Sequence, residues 1–377
     1  MKYSYRIIMA CFAVLLGFPA QSQQDNSALY LAAGADSARE KVLSVQADLI
    51  GYFKNNEYFA ETVDGYTLFG YQAPVALHYQ INGEWSVLGG VYLQKDFGGD
   101  GFTEIAPQFS VRYDKGSWFA AFGTLDGSLD HRLIEPLYDF EIRLLDPLEN
   151  GVQIRYDDRR LFADVWVIWQ QVIFPGDDRQ EIITGGLSVD YEVVRSDNFS
   201  LSFPLQLVLA HEGGQINTAN DDPVFTQSNV AIGARLEGYS EGFVTRWGVY
   251  PYGVLYGGNI PEGVYPYESG SGIYINAEAE SRWLTLMASY WSGSDYISYQ
   301  GGDLYNAYSR SVVNPAAVDP DRDLLIFRFM KNFVFTDNVR LAARAEPLWN
   351  LNDGSFDISY GLYILYSGGF KVAENKL

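Results

Sequence analysis

The side chains able to perform acid–base or nucleophilic catalysis are few and far apart. The 377-residue chain holds three histidines, and we expect His78 on a strand and His131 and His211 in loops. A serine–histidine–acid site needs its base within hydrogen-bonding reach of the nucleophile. No Gly-x-Ser-x-Gly, His-x-x-x-His or glycine-rich phosphate-loop pattern accompanies these histidines. The sequence therefore predicts no enzyme, no cofactor and no metal centre.

A set of charged side chains suits a different chemistry, the passage of ions and polar solutes. Its members share the parity that would turn them toward an enclosed interior, where charges lining a narrow section set ion preference. These pore-lining candidates are Arg112, Arg155, Arg235, Arg246, Arg328, Arg340, Arg344 and Glu346.

The connection at residues 126–149 is the best candidate for narrowing such a passage. It is long and rich in apolar side chains, which a freely solvated loop would not need. We therefore expect it to fold inward, with its carboxylates opposite the arginines. The constriction candidates are Asp130, Glu135, Asp139, Glu141 and Asp146.

Two alternatives stay open for these charged groups. Residues 126–149 could form an outer cap packed against other loops. The arginines could instead brace the wall by pairing with carboxylates of the same face. Those carboxylates are Glu104, Asp164, Asp190, Glu278 and Glu346.

The elements that must position these groups are β-strands. From about Val42 onward, segments of roughly ten residues alternate polar and apolar, as in membrane barrels with one face toward lipid and one toward the lumen. Leu161, Val165 and Val167 oppose Asp164, for example, and the last strand keeps the same period over residues 356–366. No sustained period of 3.6 residues crosses the chain.

The connections between these segments alternate strictly between short and longer ones. Outer-membrane barrels have short periplasmic turns and longer outer loops, so the alternation predicts about sixteen antiparallel strands in a closed transmembrane barrel, with both termini in the periplasm. Short turns fall at residues 82–83, 114–116, 157–158, 195–198, 239–242, 280–282 and 332–337, and longer loops at residues 61–65, 96–101, 126–149, 175–180, 211–227, 257–270, 293–321 and 351–354.

Composition agrees with this architecture and excludes one class of partner. Aromatic residues make up 16% of the chain, and several lie beside short turns, where the headgroup level of a membrane would be. Without Lys2 and Arg6, 24 basic residues face 47 acidic ones, a balance that argues against nucleic-acid binding. These aromatic residues are Tyr79, Trp85, Tyr113, Trp118, Tyr156, Phe243, Trp283 and Tyr366.

The amino terminus reads as an export signal over residues 1–22. A basic start is followed by a short apolar run, and Ala20-Gln21-Ser22 supplies the small residues of a cleavage site. A lipoprotein reading of Cys11 is poor because too little apolar sequence precedes it. Residues 23–41 would then form a short periplasmic segment, and the mature chain would lack cysteine.

Over residues 42–366 the chain resembles the porin class of Gram-negative outer-membrane barrels. The last strand, residues 359–366, is similar to the polar-x-Gly-x-x-hydrophobic-x-aromatic pattern that barrel-assembly machinery reads. In sixteen-stranded porins the loop at the position of residues 126–149 folds into the barrel. The chain departs from the pattern at residues 367–377, which we expect to form a periplasmic tail.

These features predict an outer-membrane channel for passive diffusion of small hydrophilic solutes. Its partners would be outer-membrane lipids, lipopolysaccharide, the solutes and other outer-membrane proteins. The alternative is a non-enzymatic accessory barrel within an outer-membrane complex. Acidic clusters at residues 96–100 and 319–323 read as solvated surface rather than calcium loops, since neither has the twelve-residue pattern.

Overall fold

Strands account for almost all the regular structure of the chain. The computed structural model describes residue 29 and residues 40–214 and 222–374, so the expected export signal lies outside the described residues. The strand segments are β1 Val42–Glu57, β2 Tyr66–Gln72, β3 Val75–Gln80, β4 Trp85–Asp96, β5 Glu104–Lys115, β6 Trp118–Thr124, β7 Asn150–Asp157, β8 Leu161–Gln171, β9 Ile182–Arg195, β10 Phe199–Glu212, β11 Phe225–Gly233, β12 Arg235–Tyr239, β13 Val244–Asn259, β14 Ser269–Ser281, β15 Thr285–Ser294, β16 Asp321–Thr336, β17 Val339–Asn350 and β18 Phe356–Glu374.

These segments form one closed antiparallel barrel. Strands that follow one another in the chain pair side by side, and β18 pairs with β1 to close the sheet. The segments β2 and β3 both pair with β1 and β4, and β11 and β12 both pair with β10 and β13. Two strands are interrupted: β2 and β3 flank Pro74, which cannot donate to the ladder, and β11 and β12 flank Ala234, whose N–H donates to the Pro251 carbonyl at 3.1 Å. Counting each interrupted pair once gives sixteen strands. The predicted fold class is confirmed, and so is the alternation of short turns with longer loops.

The two faces of the wall differ as alternation requires. In β8, Val165 and Val167 point outward and are 49% and 39% exposed, whereas Asp164 and Trp166 point inward and are at most 1% exposed. Apolar side chains on the exposed face and polar ones inside are what a lipid-embedded barrel shows. Among the helical segments in the described ranges, none is long and apolar enough to span a membrane.

Aromatic side chains gather at the end of the barrel that carries the short turns. Trp85 packs against Tyr113 across β4 and β5, with ring centroids 5.0 Å apart. Trp118 packs against Tyr156 across β6 and β7 at 4.9 Å. Amphipathic rings favour the headgroup level of a membrane, so these cross-strand pairs mark one edge of the apolar band.

The seam between the first and last strands is the longest pairing in the barrel. It runs from the pair Val42–Glu374 to the pair Glu57–Ile358. β18 therefore continues through most of the segment that the sequence suggested as a tail. Strand β17 pairs with β18 only as far as Tyr366, so the last part of β18 is held by β1 alone.

The outward face sets an expected result for stability. Val167→Arg, near the middle of β8, should lower the free energy of unfolding by roughly 2–4 kcal/mol, because arginine is costly on the lipid face at mid-depth. Val313→Arg is the matched control, since Val313 is 78% exposed on a loop. Unfolding in urea from lipid vesicles measures both. Equal effects would mean that the exposed face of β8 does not meet lipid.

Candidate functional site

The connection between β6 and β7 crosses the inside of the barrel. Residues 126–149, here called the inward segment, bury Leu133, Ile134 and Leu137 almost completely. The Ile134 N–H donates to Gln206 of β10 at 2.9 Å. Near its other end, the Leu144 carbonyl accepts from Gln72 of β2 at 2.9 Å. The inward segment therefore touches separate parts of the wall and fills much of the lumen between them.

A second loop packs against the inward segment. The connection between β15 and β16, residues 295–320, buries Tyr296 and Tyr305. The Tyr296 hydroxyl donates to the Pro136 carbonyl at 2.9 Å, and the Asp139 N–H donates to the Gln300 carbonyl at 2.7 Å. Sequence reasoning missed this packing, although the tyrosines and Ile297 of this loop resemble the apolar content of the inward segment.

Glu135 anchors the inward segment to the far wall. Its carboxylate pairs with Arg328 of β16 and accepts hydroxyl hydrogen bonds from Tyr274 at 2.9 Å and Tyr305 at 2.7 Å. Arg328 also donates to Ser289 Oγ at 2.6 Å. Each of the two buried charges has an opposite charge and at least one neutral hydrogen-bond partner beside it, which is the condition for tolerating charge in a low-dielectric interior.

Glu141 anchors the inward segment to the seam between β1 and β18. Its carboxylate lies 3.1 Å from Lys54 Nζ and accepts from Asn56 at 3.2 Å. Lys54 also donates to Ser359 Oγ at 2.7 Å. The carboxylate holds Lys54 as an ammonium ion, so Lys54 cannot act as a base toward Ser359. Sequence reasoning missed Lys54, which lies 305 residues from Ser359 in the chain.

His131 is held between two carboxylates inside the barrel. Its Nδ1 lies 2.7 Å from Asp164 Oδ2 and its Nε2 lies 2.9 Å from Glu149 Oε2. Its ring stacks on Trp166, with centroids 3.7 Å apart. Burial disfavours the charged ring, but the charge of Glu149 and the hydrogen bonds to both carboxylates outweigh it and raise the pKa of His131 to about 10. His131 is therefore a protonated link between Asp164 and Glu149, here called the clamp, rather than a general base.

This clamp predicts a pH dependence of stability. A folded-state pKa raised from 6.5 to about 10 contributes stability that is complete below the unfolded value and is lost as pH rises through about 10. His131→Gln should therefore lower the melting temperature at pH 6 more than at pH 10.5. Thermal unfolding in detergent measures this difference. Gln206→Ala, which removes the neutral hydrogen bond from the Ile134 N–H, is the control and should lower the melting temperature equally at both pH values. An equal loss at both pH values in His131→Gln would contradict the clamp.

The remaining predicted residues fall into separate groups. Arg112 lies 2.8 Å from Asp126, and Arg155 lies 3.5 Å from Asp130, so these two arginines face the inward segment. Arg344 lies over the Phe140 ring, 5.3 Å from its centroid. Asp139 and Glu346 line a small cavity of about 40 Å³ beside Lys54. Asp146 follows the helical turn Ile142–Leu145 and is exposed.

The arginines farther along the wall pair with the wall itself. Arg235 lies 2.7 Å from Asp190 and 2.8 Å from Glu237. Arg246 pairs with Glu278 and lies 2.9 Å from Glu280. The arginines were expected either to face the constriction or to brace the wall, and the structure shows both arrangements. Arg112 and Arg155 face the inward segment, whereas Arg235 and Arg246 pair with carboxylates of β9 to β14. Arg340 lies half-buried on the inward parity of β17, near the short-turn end.

A second constellation lies on the outward face, at the end of the barrel with the long loops. His211 belongs to β10 rather than to a loop, and its parity is that of the exposed Leu209. Thr226 stands directly opposite it on β11, and its Oγ1 lies 2.8 Å from His211 Nδ1. Within the described residues, His211 is the histidine whose ring nitrogen lies within hydrogen-bonding distance of a hydroxyl.

Other polar side chains surround this pair on the same face. Ser228 lies two residues from Thr226 and donates to the Gly257 carbonyl at 2.8 Å. Asn259 pairs with Thr226 across β11 and β13. Ile183 of β9 is the cross-strand neighbour of His211 on its other side. Glu181 lies two residues before Ile183, and its carboxylate accepts a hydrogen bond from the Trp169 indole at 3.1 Å. The apolar outward face therefore ends, at this rim, in a polar row that contains a base beside a hydroxyl.

Solved structures with a similar fold are outer-membrane proteins. A loop-deletion mutant of OmpT from Vibrio cholerae is 15% identical, with a TM-score of 0.51, covering 86% of this chain and 99% of that one. OprD from Pseudomonas aeruginosa is 11% identical, with a TM-score of 0.50, covering 90% and 98%. The predicted porin-like barrel fold and the outer-membrane location are confirmed. No curated protein sequence matches this chain.

One family model covers nearly the whole barrel. It is described as lipid A 3′-O-deacylase-type and matches residues 35–375. Because this family is enzymatic, the expectation that the chain is not an enzyme is wrong. That expectation rested on the absence of recognised catalytic sequence motifs. The chain belongs to the lipid A 3′-O-deacylase-type family.

Proposed function

We propose that the chain hydrolyses an O-acyl ester of a lipid A-type glycolipid in the outer leaflet of the outer membrane. The observation that carries this proposal is the outward-facing pair of His211 and Thr226, 2.8 Å apart. A nucleophile activated by an adjacent base is the arrangement that acyl transfer needs. Family membership supplies the substrate class.

The proposed reaction proceeds through an acyl–threonine ester. Thr226 Oγ1 attacks the carbonyl carbon while His211 Nδ1 accepts the hydroxyl proton. The bond to the 3′ oxygen of the glycolipid then breaks, and that oxygen takes the proton from His211. Water, activated by His211, attacks the acyl–threonine ester, which releases the fatty acid and restores the hydroxyl of Thr226.

The location of the pair suits a substrate that stays in the membrane. Long loops mark the outer end of such barrels, and the apolar outward face below the pair would contact acyl chains. Asn259 and Glu181, at the same rim, would contact the headgroup. Lipopolysaccharide is accordingly the proposed partner at this rim, and the ester need not enter the filled lumen.

The test is release of fatty acid from lipid A. The folded barrel is mixed with vesicles containing lipid A, and free fatty acid is measured over time. Release from the 3′ position, with loss of one acyl chain per glycolipid, supports the proposal. The proposal fails if the parent protein, shown to be folded, releases no fatty acid.

Passage of small hydrophilic solutes is a second candidate function. It is supported by a cavity of about 300 Å³ between the inward segment and the wall, lined by charged and polar groups that include Asp48, Arg112 and Arg143. The lumen face of such barrels carries the groups that select solutes. The inward segment would then act as the constriction that the sequence suggested, and its removal is the test.

A further inference from the structure

The larger cavity lies on one side of the lumen. Its volume is about 300 Å³, and it is lined by the inner faces of β1 and β3 to β6 and by both ends of the inward segment. Leu88, Tyr92 and Leu129 give it apolar walls. Ligand pockets for drug-sized molecules span roughly 300–1,000 Å³, so this one suits a small solute.

Five charged side chains line the cavity, and the described contacts neutralise three of them. Arg112 pairs with Asp126 at 2.8 Å. Asp130 pairs with Arg155, outside the lining, at 3.5 Å. The two others carry opposite signs: Asp48 comes from β1 and Arg143 from the inward segment. Both line the same cavity, but they do not form an ion pair with each other.

Neutral partners hold both of these side chains in place. Arg143 Nη1 donates to Gln72 Oε1 at 2.8 Å. Asp48 accepts from Gln46 at 3.0 Å and from Ser367 at 2.5 Å. In the described part of the chain, no carboxylate lies within ion-pair distance of Arg143 and no cation within that distance of Asp48. Burial also lowers the pKa of Arg143, as expected for a desolvated cation.

We propose that this cavity binds a small zwitterion, with its carboxylate at Arg143 and its ammonium group at Asp48. A ligand with both charges would satisfy both side chains, whereas a simple anion or cation would satisfy only one. The surrounding protein has a lower dielectric constant than water, so each charged contact is stronger than it would be in solution. This site lies inside the barrel and is independent of the proposed esterase pair on the outward face.

The test compares three probes of similar size on the folded protein in detergent. They are alanine, propionate, which lacks the amine, and isopropylamine, which lacks the carboxylate. Isothermal titration should show saturable binding of alanine, with each analogue roughly tenfold or more weaker, the scale of one lost charge-assisted hydrogen bond. Failure of alanine to saturate, or equal binding of all three, would overturn the proposal.

Two variants assign the two ends of the ligand. Arg143→Gln should weaken alanine binding roughly tenfold or more, so that alanine binds no more tightly than isopropylamine. In Asp48→Asn, alanine should bind no more tightly than propionate. Arg159→Gln, on the exposed turn between β7 and β8, is the matched control and should bind like the parent. Parent-like binding by both cavity variants would also overturn the proposal. Ester hydrolysis should be unchanged in all three, which separates this site from the proposed esterase.

Discussion

Thr226→Ala and His211→Ala should each lower the rate of fatty-acid release from lipid A by about 10²- to 10⁴-fold. Thr226 supplies the attacking oxygen and His211 accepts its proton, and a positioned general base contributes about that much to a rate. The two effects should not add, because residues that act as one unit lose their joint contribution when either is removed. The measurement is the initial rate of release from vesicles.

Ser228→Ala is the matched control for these variants. Ser228 lies on the same face of β11, but its hydroxyl donates to the Gly257 carbonyl and has no base beside it in the described contacts. It should retain most of the parent rate. His131→Gln should also retain activity where it is folded, since both nitrogens of His131 hold carboxylates. Full activity in Thr226→Ala would place the nucleophile elsewhere.

Deleting residues 130–145 and joining the ends with a short Gly/Ser link should raise single-channel conductance well above that of the parent. The inward segment fills the lumen, and its removal takes away the contacts of Glu135 and Glu141 with the wall. Lys54 and Arg328 would then face water instead of a dry interior, which removes the cost of leaving them unpaired. Planar-bilayer recording measures the change.

The charge of the opened lumen sets the next expected result. Reversing Arg340 and Arg344 to glutamate in the deletion variant should shift its ion preference toward cations, because selectivity follows the charges that line the pore. The shift should shrink in 1 M salt, where the Debye length is about 3 Å.

An exposed part of the connection between β15 and β16 provides the control for the deletion. Shortening the exposed stretch at Val312 and Val313, which are 89% and 78% exposed, should leave conductance as in the parent. A parent that already conducts steadily, with no increase on deletion, would contradict the role of the inward segment as the constriction.

The barrel could be predicted because the patterns that specify its strands and turns lie within short stretches of sequence. Alternation within β8 or β18 is visible over about ten residues, and the turns between strands carry their own sequence pattern. The ends of strands were harder to place. His211 was assigned to a loop because the alternation fades near it, yet the ladder between β10 and β11 continues past it to the pair Glu212–Phe225.

The contacts of the candidate sites could not be predicted, because they join distant parts of the chain. Lys54 meets Ser359 across 305 residues, and His131 meets Asp164 across 33. Even the pairing of His211 with Thr226 depends on the register of two strands across a long loop. Register depends on the apolar pattern of whole strands and on the connections between them. The spacing of His211 and Thr226 in the sequence therefore does not predict that they pair.

The seam between β1 and β18 has a consequence for how the molecule is assembled. Lys54 belongs to β1, its partner Ser359 belongs to β18, and its counter-ion Glu141 belongs to the inward segment. If the strands closed around an inward segment that was packed but out of position, they would bury this ammonium without its counter-ion, and removing one partner of a buried charge pair is strongly destabilising. Complete closure therefore favours barrels whose interior is already packed. We therefore expect correct packing of the inward segment and complete pairing of β1 with β18 to stabilise each other.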